Sequence, residues 1–174
     1  FGPRGTGIVI ASPRGWAALR PTIPSFIDGE SWSAWIAGRE PQGVASGPRL
    51  TPGGFKPYEH QWALAVAFAF HESIGPQRIQ ARTEELAAQL KEGLARMRHI
   101  TLHTPRRPEL SAGIVSFDVA GLSADAAADR LRQRRIVASV APYATRHVRL
   151  TPCLYNSPAD IDRALAEVRG LAAV

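Results

Sequence analysis

The sequence has 174 residues, 45% of them hydrophobic, and a formal charge of +6 at pH 7 carried almost wholly by arginine, since Lys56 and Lys91 are its only lysines. That is enough apolar material for one ordinary globular core, and without a basic-aromatic recognition module the charge describes a solvated surface and no nucleic-acid partner. A single cysteine, Cys153, excludes an internal disulfide and a cysteine-based zinc site and favours a reducing, cytoplasmic setting.

The longest apolar run, residues 62–70, is too short to span a bilayer, so no membrane partner is expected. No signal peptide is visible. The chain opens on Phe1 and not on Met, which leaves its natural N-terminus and any address there open.

Residues 5–10, GTGIVI, read as a short buried strand after a Gly-Pro-Arg-Gly turn. From Ser12 to Phe55 the chain is rich in Gly, Pro, Ser and Trp with little periodicity, which predicts irregular surface with short turns. Over 57–74, Trp62, Leu64, Val66, Phe68 and Phe70 alternate with alanine in a strand-like pattern. The alanine content and the length favour a buried helix. Gly75-Pro76 breaks it, and Pro76 opens a second helix with Ile79, Leu86, Leu90, Leu94 and Met97 on one face.

Two strand-like runs follow, 100–104 and 113–119, separated by the loop 105–112. Ser123 is the N-cap of a helix reaching Arg135, whose closing RLRQRR sets cations against the negative end of its dipole. Runs 136–140 and 146–151 read as two more strands. The last helix starts at Ser157, with Asp160 completing a capping box and Ile161, Leu165, Val168 and Leu171 on its buried face. From residue 76 the order is αββαββα, an α+β domain with its sheet covered by helices on one side.

Several chemistries are excluded by pattern. GPRGTG lacks the lysine and spacing of a Walker loop, and there is no GxSxG elbow. The histidines at 60, 71, 99, 103 and 147 show no metal-ligand spacing and read as surface or capping residues, so no metal is expected.

Three stretches together resemble one family. FGPRGTG at the start, TPGGFKPYEHQWALAVAFAFHESIG at 51–75 and VASVAPYATRHVRLTPCLYNSPADID at 137–162 are similar to the class V aminotransferases, pyridoxal-phosphate enzymes of fold type I, and within them to the isopenicillin-N-epimerase-like branch. The resemblance implies the C-terminal portion of an α/β fold type I enzyme. Residues 1–57 would end the large cofactor-binding domain, 58–75 form a linking helix and 76–174 the small domain. The Schiff-base lysine is expected upstream of Phe1, Lys56 and Lys91 do not hold its position, and the chain alone should be inactive.

The resemblance also implies pyridoxal 5′-phosphate as cofactor and an amino acid as substrate, handled by aminotransferase, epimerase or lyase chemistry. Arg149 takes the position that holds the substrate carboxylate, a task suited to its planar two-pronged donor. Arg146 reads as a surface ion pair. Gly53, Gly54 and Phe55 match the turn that reaches the cofactor phosphate of a neighbouring subunit, which implies a homodimer with shared sites. Phe55 has no hydroxyl, so such a contact would come from backbone N–H groups. The loop 141–147 lacks the cysteine nucleophile of cysteine desulfurases, and Cys153 reads as buried and inert. The alternative from another class is a free-standing α+β binding or interaction domain without catalysis.

Overall fold

Proline at a helix start loses nothing, because its missing N–H would be unpaired there in any case. Three helices use it: α1 (Pro13–Ala18), α4 (Pro76–Ala95) and α6 (Pro158–Arg169). The computed structural model describes residues 2–23, 25–45, 47–54 and 56–172. The chain falls into two compact units, residues 1–73 and 74–174.

The first unit contains α1, α2 (Gly29–Ile36) and most of α3 (Tyr58–Ile74). The segment predicted as irregular surface thus holds two short helices. Ser12 caps α1 by accepting from Gly15 N–H at 3.2 Å. The unit is organised by a polar cluster. Arg49 is buried, and its Nε donates to Asp28 Oδ2 at 2.8 Å while Nη1 donates to the carbonyls of Gln42 and Gly43. Ser31 Oγ donates to the same Asp28 carboxylate.

Two expectations for this unit fail. Residues 5–10 are not a strand: Ile8, Val9 and Ile10 are exposed, with Ile10 at 89%. A strand exists only where a neighbour completes its hydrogen bonds, and none of the described residues does so here. α3 is a helix as expected but not a buried one; Trp62, Val66, Phe68 and Phe70 are all exposed. Alternating alanine and large apolar residues spread the bulk around a helix, so no single side gathers it.

The second unit runs α4, β1 (Ile100–Leu102), β2 (Val115–Val119), α5 (Ala124–Gln133), β3 (Ser139–Val140), β4 (Val148–Leu150) and α6. The strands form one antiparallel sheet in the order β1-β2-β4-β3. Period-two alternation sorts its faces. Val115, Phe117, Val119, Val148 and Leu150 are buried in the core with Leu86, Leu90, Leu94, Leu131, Ile161, Leu165, Val168 and Leu171 from the helices. Ser116, Asp118, His147 and Arg149 take the alternate positions and stay half-buried. Ser123 caps α5, and Ser157 with Asp160 forms a reciprocal capping box at α6. No helix among the described residues is long and apolar enough to cross a membrane.

α4 and α6 pack closely because Gly93 has no side chain. A Cβ there would stand 2.3 Å from Leu165 Cδ1 and 3.0 Å from its Cγ. Leu165 is buried and cannot swing clear. Gly93→Ala should therefore destabilise this unit by about 1–3 kcal/mol through overpacking, even against the roughly 1 kcal/mol that alanine gains as a helix former. A urea titration should show a lowered midpoint; Gly121→Ala, in the same unit at a site with a positive φ and nothing among the described residues within 4 Å of a Cβ, separates steric from backbone effects.

The Asp28–Arg49 pair gives the first unit a defined acid sensitivity. Hydrogen bonds from Ser31 and Arg49 hold the Asp28 carboxyl below its ordinary value of 3.8. Its contribution is present above that value and is lost as pH falls through the lower folded pKa. Asp28→Ala should cost about 1.5–3 kcal/mol at neutral pH, the worth of a hydrogen bond to a charged group. Proteolysis of the first unit should accelerate in the variant at pH 7, and the difference from wild type should shrink below pH 4.

Candidate active site

β4 carries Val148 and Leu150 into the core, which leaves Arg149 between them on the other face. Its register partners are Ser116 on β2 and Ser139 on β3, so small side chains flank the guanidinium. Arg149 lines a cleft of about 460 Å³ that Arg135, Thr151, Tyr155 and Arg163 also border. One nitrogen, Nη2, donates to the Val140 carbonyl at 3.3 Å. Nε is buried and has no hydrogen-bond partner among the described residues. A buried N–H without an acceptor costs about 1–3 kcal/mol, and an anion in the cleft would supply one.

The segment behind Arg149 is held by its own turn. Asn156 Oδ1 accepts from Cys153 N–H at 2.9 Å, and Asn156 N–H donates to the Cys153 carbonyl at 2.8 Å. Arg82 on α4 donates to the Asn156 carbonyl at 2.9 Å. The turn then feeds directly into the capping box of α6. Cys153 is half-buried within it, and not fully buried as expected.

The other side of the cleft begins at the end of α5. Ile136 N–H bonds back to the Leu131 carbonyl and Arg135 N–H to that of Arg132, the paired bonds of a Schellman ending. Arg135 holds the left-handed position at φ 62°, where glycine is the usual occupant. A non-glycine residue is strained there, and this one places a cation beside the cleft.

Arg146 lies outside this arrangement. It donates to Asp125 Oδ1 at 2.7 Å as an exposed ion pair.

In the first unit, Gly53 has φ +76°, and its carbonyl accepts from Phe26 N–H at 3.5 Å. A Cβ at Gly53 would meet nothing within 4 Å, whereas one at Gly54 would lie 2.9 Å from the Phe26 ring. Both glycines are thus required by the turn, Gly53 by its backbone angle and Gly54 by the Phe26 ring, and the described residues leave the Gly53 side open. Phe55 lies outside the described residues.

Both lysines are engaged. Lys56 Nζ donates to the Pro52 carbonyl, and Lys91, 2% exposed, donates to the Pro105 carbonyl at 3.1 Å and to Ser111 Oγ at 2.9 Å.

The sheet also brings together residues that spacing along the chain could not. His103 Nε2 lies 2.7 Å from Asp118 Oδ2, and His147 Nδ1 lies 2.8 Å from Asp118 Oδ1. Burial raises the Asp118 pKa, but the bonds from His147 and His103 outweigh it and hold the carboxyl below its ordinary value. His99, by contrast, meets the Val168 carbonyl at 3.2 Å, and His71 sits exposed on α3. The signal for the cluster was strand register: His147 continues β4 and falls opposite Asp118.

The family model for aminotransferase class-V matches residues 1–163. The chain belongs to that family. A probable cysteine desulfurase 2 of Mycobacterium leprae (strain TN) is 28% identical over 124 residues, covering 71% of this chain and 28% of that protein. The structure of a cystine C-S lyase with its reaction product, cysteine persulfide, superposes with a TM-score of 0.71 at 20% identity, over 93% of this chain and 41% of that one. A variant of that lyase with glycine covalently linked to its PLP cofactor gives a TM-score of 0.65 at 22% identity, over 87% and 38% of the two chains.

These likenesses show a shared fold, and the class-V chain described here spans less than half the length of each relative. Membership makes pyridoxal 5′-phosphate the implied cofactor and fold type I the parent architecture.

The state of the lysines leads to a direct test. Incubated with pyridoxal phosphate and borohydride, the chain should yield no stoichiometric adduct at Lys91, whose ammonium is buried and doubly bonded. Peptide mass spectrometry should find at most partial labelling at half-buried Lys56. A stable, fully reducible adduct at either lysine would identify it as an imine partner.

Proposed function

We propose that this class-V chain is the C-terminal portion of a pyridoxal-phosphate enzyme acting on an amino acid, with Arg149 binding the substrate carboxylate. The observation that carries the reading is Arg149 itself, which lines a cleft bordered by two further arginines and keeps a buried Nε–H with no acceptor among the described residues. A carboxylate placed there would take a charge-assisted bond from Nε and a second from a terminal nitrogen. Nη2 already leans on the Val140 carbonyl, which fixes the plane of the fork. The 153–156 turn and α6 keep β4 from yielding when the anion binds.

When bound, the cofactor supplies an electron sink for the charge left when a bond at Cα breaks. The residues of this chain fix the substrate's orientation, and with it which Cα bond lies in position to break. Gly53, Gly54 and Phe55 would offer backbone N–H groups to the phosphate, a role favoured by the open side of the Gly53 turn. The imine-forming lysine belongs to another part of the protein, because Lys56 and Lys91 are committed elsewhere. The chain by itself is then inactive.

In this reading residues 1–57 end the large domain, 58–75 link, and 76–174 form the small domain. The many exposed apolar side chains of the first unit, among them Ile8, Val9, Trp62, Val66 and Phe68, suit surfaces that pack against further protein. The remainder of a large domain and a second subunit of a homodimer are the partners we assign to them.

As to reaction, the loop 141–147 has no cysteine, and Cys153 is tied into the turn after β4. This favours chemistry without a protein thiol, whether transamination, epimerisation as in the isopenicillin-N-epimerase-like branch, or elimination.

Arg149→Lys in the complete enzyme keeps the charge and removes the planar fork. The expected loss in kcat/KM for the amino-acid substrate is about 1.5–3 kcal/mol, with cofactor binding little changed. Arg146→Lys, at the surface pair with Asp125, should be nearly silent. If Arg149→Lys keeps full kcat/KM while Arg146→Lys loses it, the carboxylate site passes to Arg146.

A further inference from the structure

His103 directly follows β1, Asp118 lies on β2 and His147 directly precedes β4, three adjacent strands of the small sheet. Their ligand-capable atoms, His103 Nε2, His147 Nδ1 and a carboxylate oxygen of Asp118, all lie within 4.8 Å of one another. The two imidazoles stand with ring centroids 4.0 Å apart and tilted, each turning a nitrogen to a different oxygen of the one carboxylate. We propose that these three side chains form a binding site for a borderline divalent transition metal of the zinc type, beside the cleft that Arg149 lines.

The donor set is the first argument. Two imidazole nitrogens and a carboxylate oxygen suit zinc, nickel or copper and are poor for magnesium or calcium, which take oxygen shells. Three protein ligands leave at least one position for water.

The second argument is geometry. Zinc bonds of about 2.0–2.2 Å place neighbouring ligand atoms of a tetrahedral shell about 3.3 Å apart. The present N–O separations of 2.7 and 2.8 Å need only open slightly for an ion to replace the protons that bridge them. Nδ1 of His147 and Nε2 of His103 are the nitrogens concerned.

The third argument is rigidity. His103 N–H is held by the Ser116 carbonyl at 3.0 Å, and the His147 carbonyl accepts from Ala141 N–H at 2.9 Å. Asp118 is on β2, and the two histidines, directly beyond strand ends, keep backbone hydrogen bonds to the sheet and its flank, which limits how far the three ligands can spread. Arg146, next to His147 in the chain, is ion-paired with Asp125 at 2.7 Å. Along β4, His147 and Arg149 are two residues apart on one face, so the ion would lie about 7 Å along the strand from the carboxylate site.

Zinc alone, titrated into the complete cofactor-loaded protein in competition with a chromophoric chelator, tests the assignment. The expected result is one ion per chain at this site, with binding that weakens as pH falls. Asp118→Asn and His103→Gln should each weaken binding by at least the ten- to hundredfold, roughly, that loss of even an outer-shell partner causes.

His71→Gln, on the exposed face of α3, should leave affinity unchanged. Metal-free urea midpoints of the variants establish that they fold. Conservative His147→Gln gives an independent variant should Asp118→Asn prove unstable. No stoichiometric zinc in the wild type, or equal affinity in folded Asp118→Asn and His103→Gln, would overturn the proposal and leave a hydrogen-bonded charge cluster.

Discussion

The guanidinium of Arg149 is the point on which the site depends. Its Nε–H is buried and has no acceptor among the described residues, and the residue lines a cleft, a state that a folded protein sustains only when the surroundings hold the group in place. The surroundings do so. β4 is paired on both sides, by β2 and β3, and the turn that follows is tied to α4 through Arg82 and closed by the capping box of α6. The core of the second unit, from Leu86 to Leu171, exists on one face of the sheet and leaves the other to carry polar chemistry.

That division of faces also explains why two separate polar groups lie so near each other. Alternation along β2 and β4 sends Ser116, Asp118, His147 and Arg149 to the same side, while the valines, Phe117 and Leu150 go to the other. The carboxylate site and the His103–Asp118–His147 cluster are consequences of one hydrophobic pattern. A one-residue slip in register would bury all of them at once.

The second unit was largely legible in the sequence because local and tertiary signals agree there. The periodic apolar faces of α4 and α6, the caps Ser123 and Ser157, and Pro76 after Gly75 each name their element and its limits. The strands came out shorter than the apolar runs: only Ser139 and Val140 of 136–140 pair as β3, since Ile136 is spent on the Schellman ending of α5.

The first unit was less legible. Residues 5–10 have the composition of a strand but no neighbour to pair with, and α3 has the bulk of a buried helix without a surface over it. Composition reports what a segment can bury, not what is present to cover it. α1 and α2 escaped notice because they are short and their apolar residues have no helical period. The histidine–aspartate cluster escaped for another reason: its members are 15 and 29 residues apart, joined only by strand pairing.

The most direct test of the Arg149 assignment is the Nε–H resonance of that residue in the complete, cofactor-loaded enzyme. It is followed by NMR during titration with an amino acid that the enzyme turns over, and then with the carboxamide of the same amino acid. If the orphaned Nε–H receives the substrate carboxylate, its proton signal moves downfield and exchanges more slowly with the acid, and stays in place with the amide. A signal that does not respond while the amino acid binds would contradict the account and place the carboxylate elsewhere.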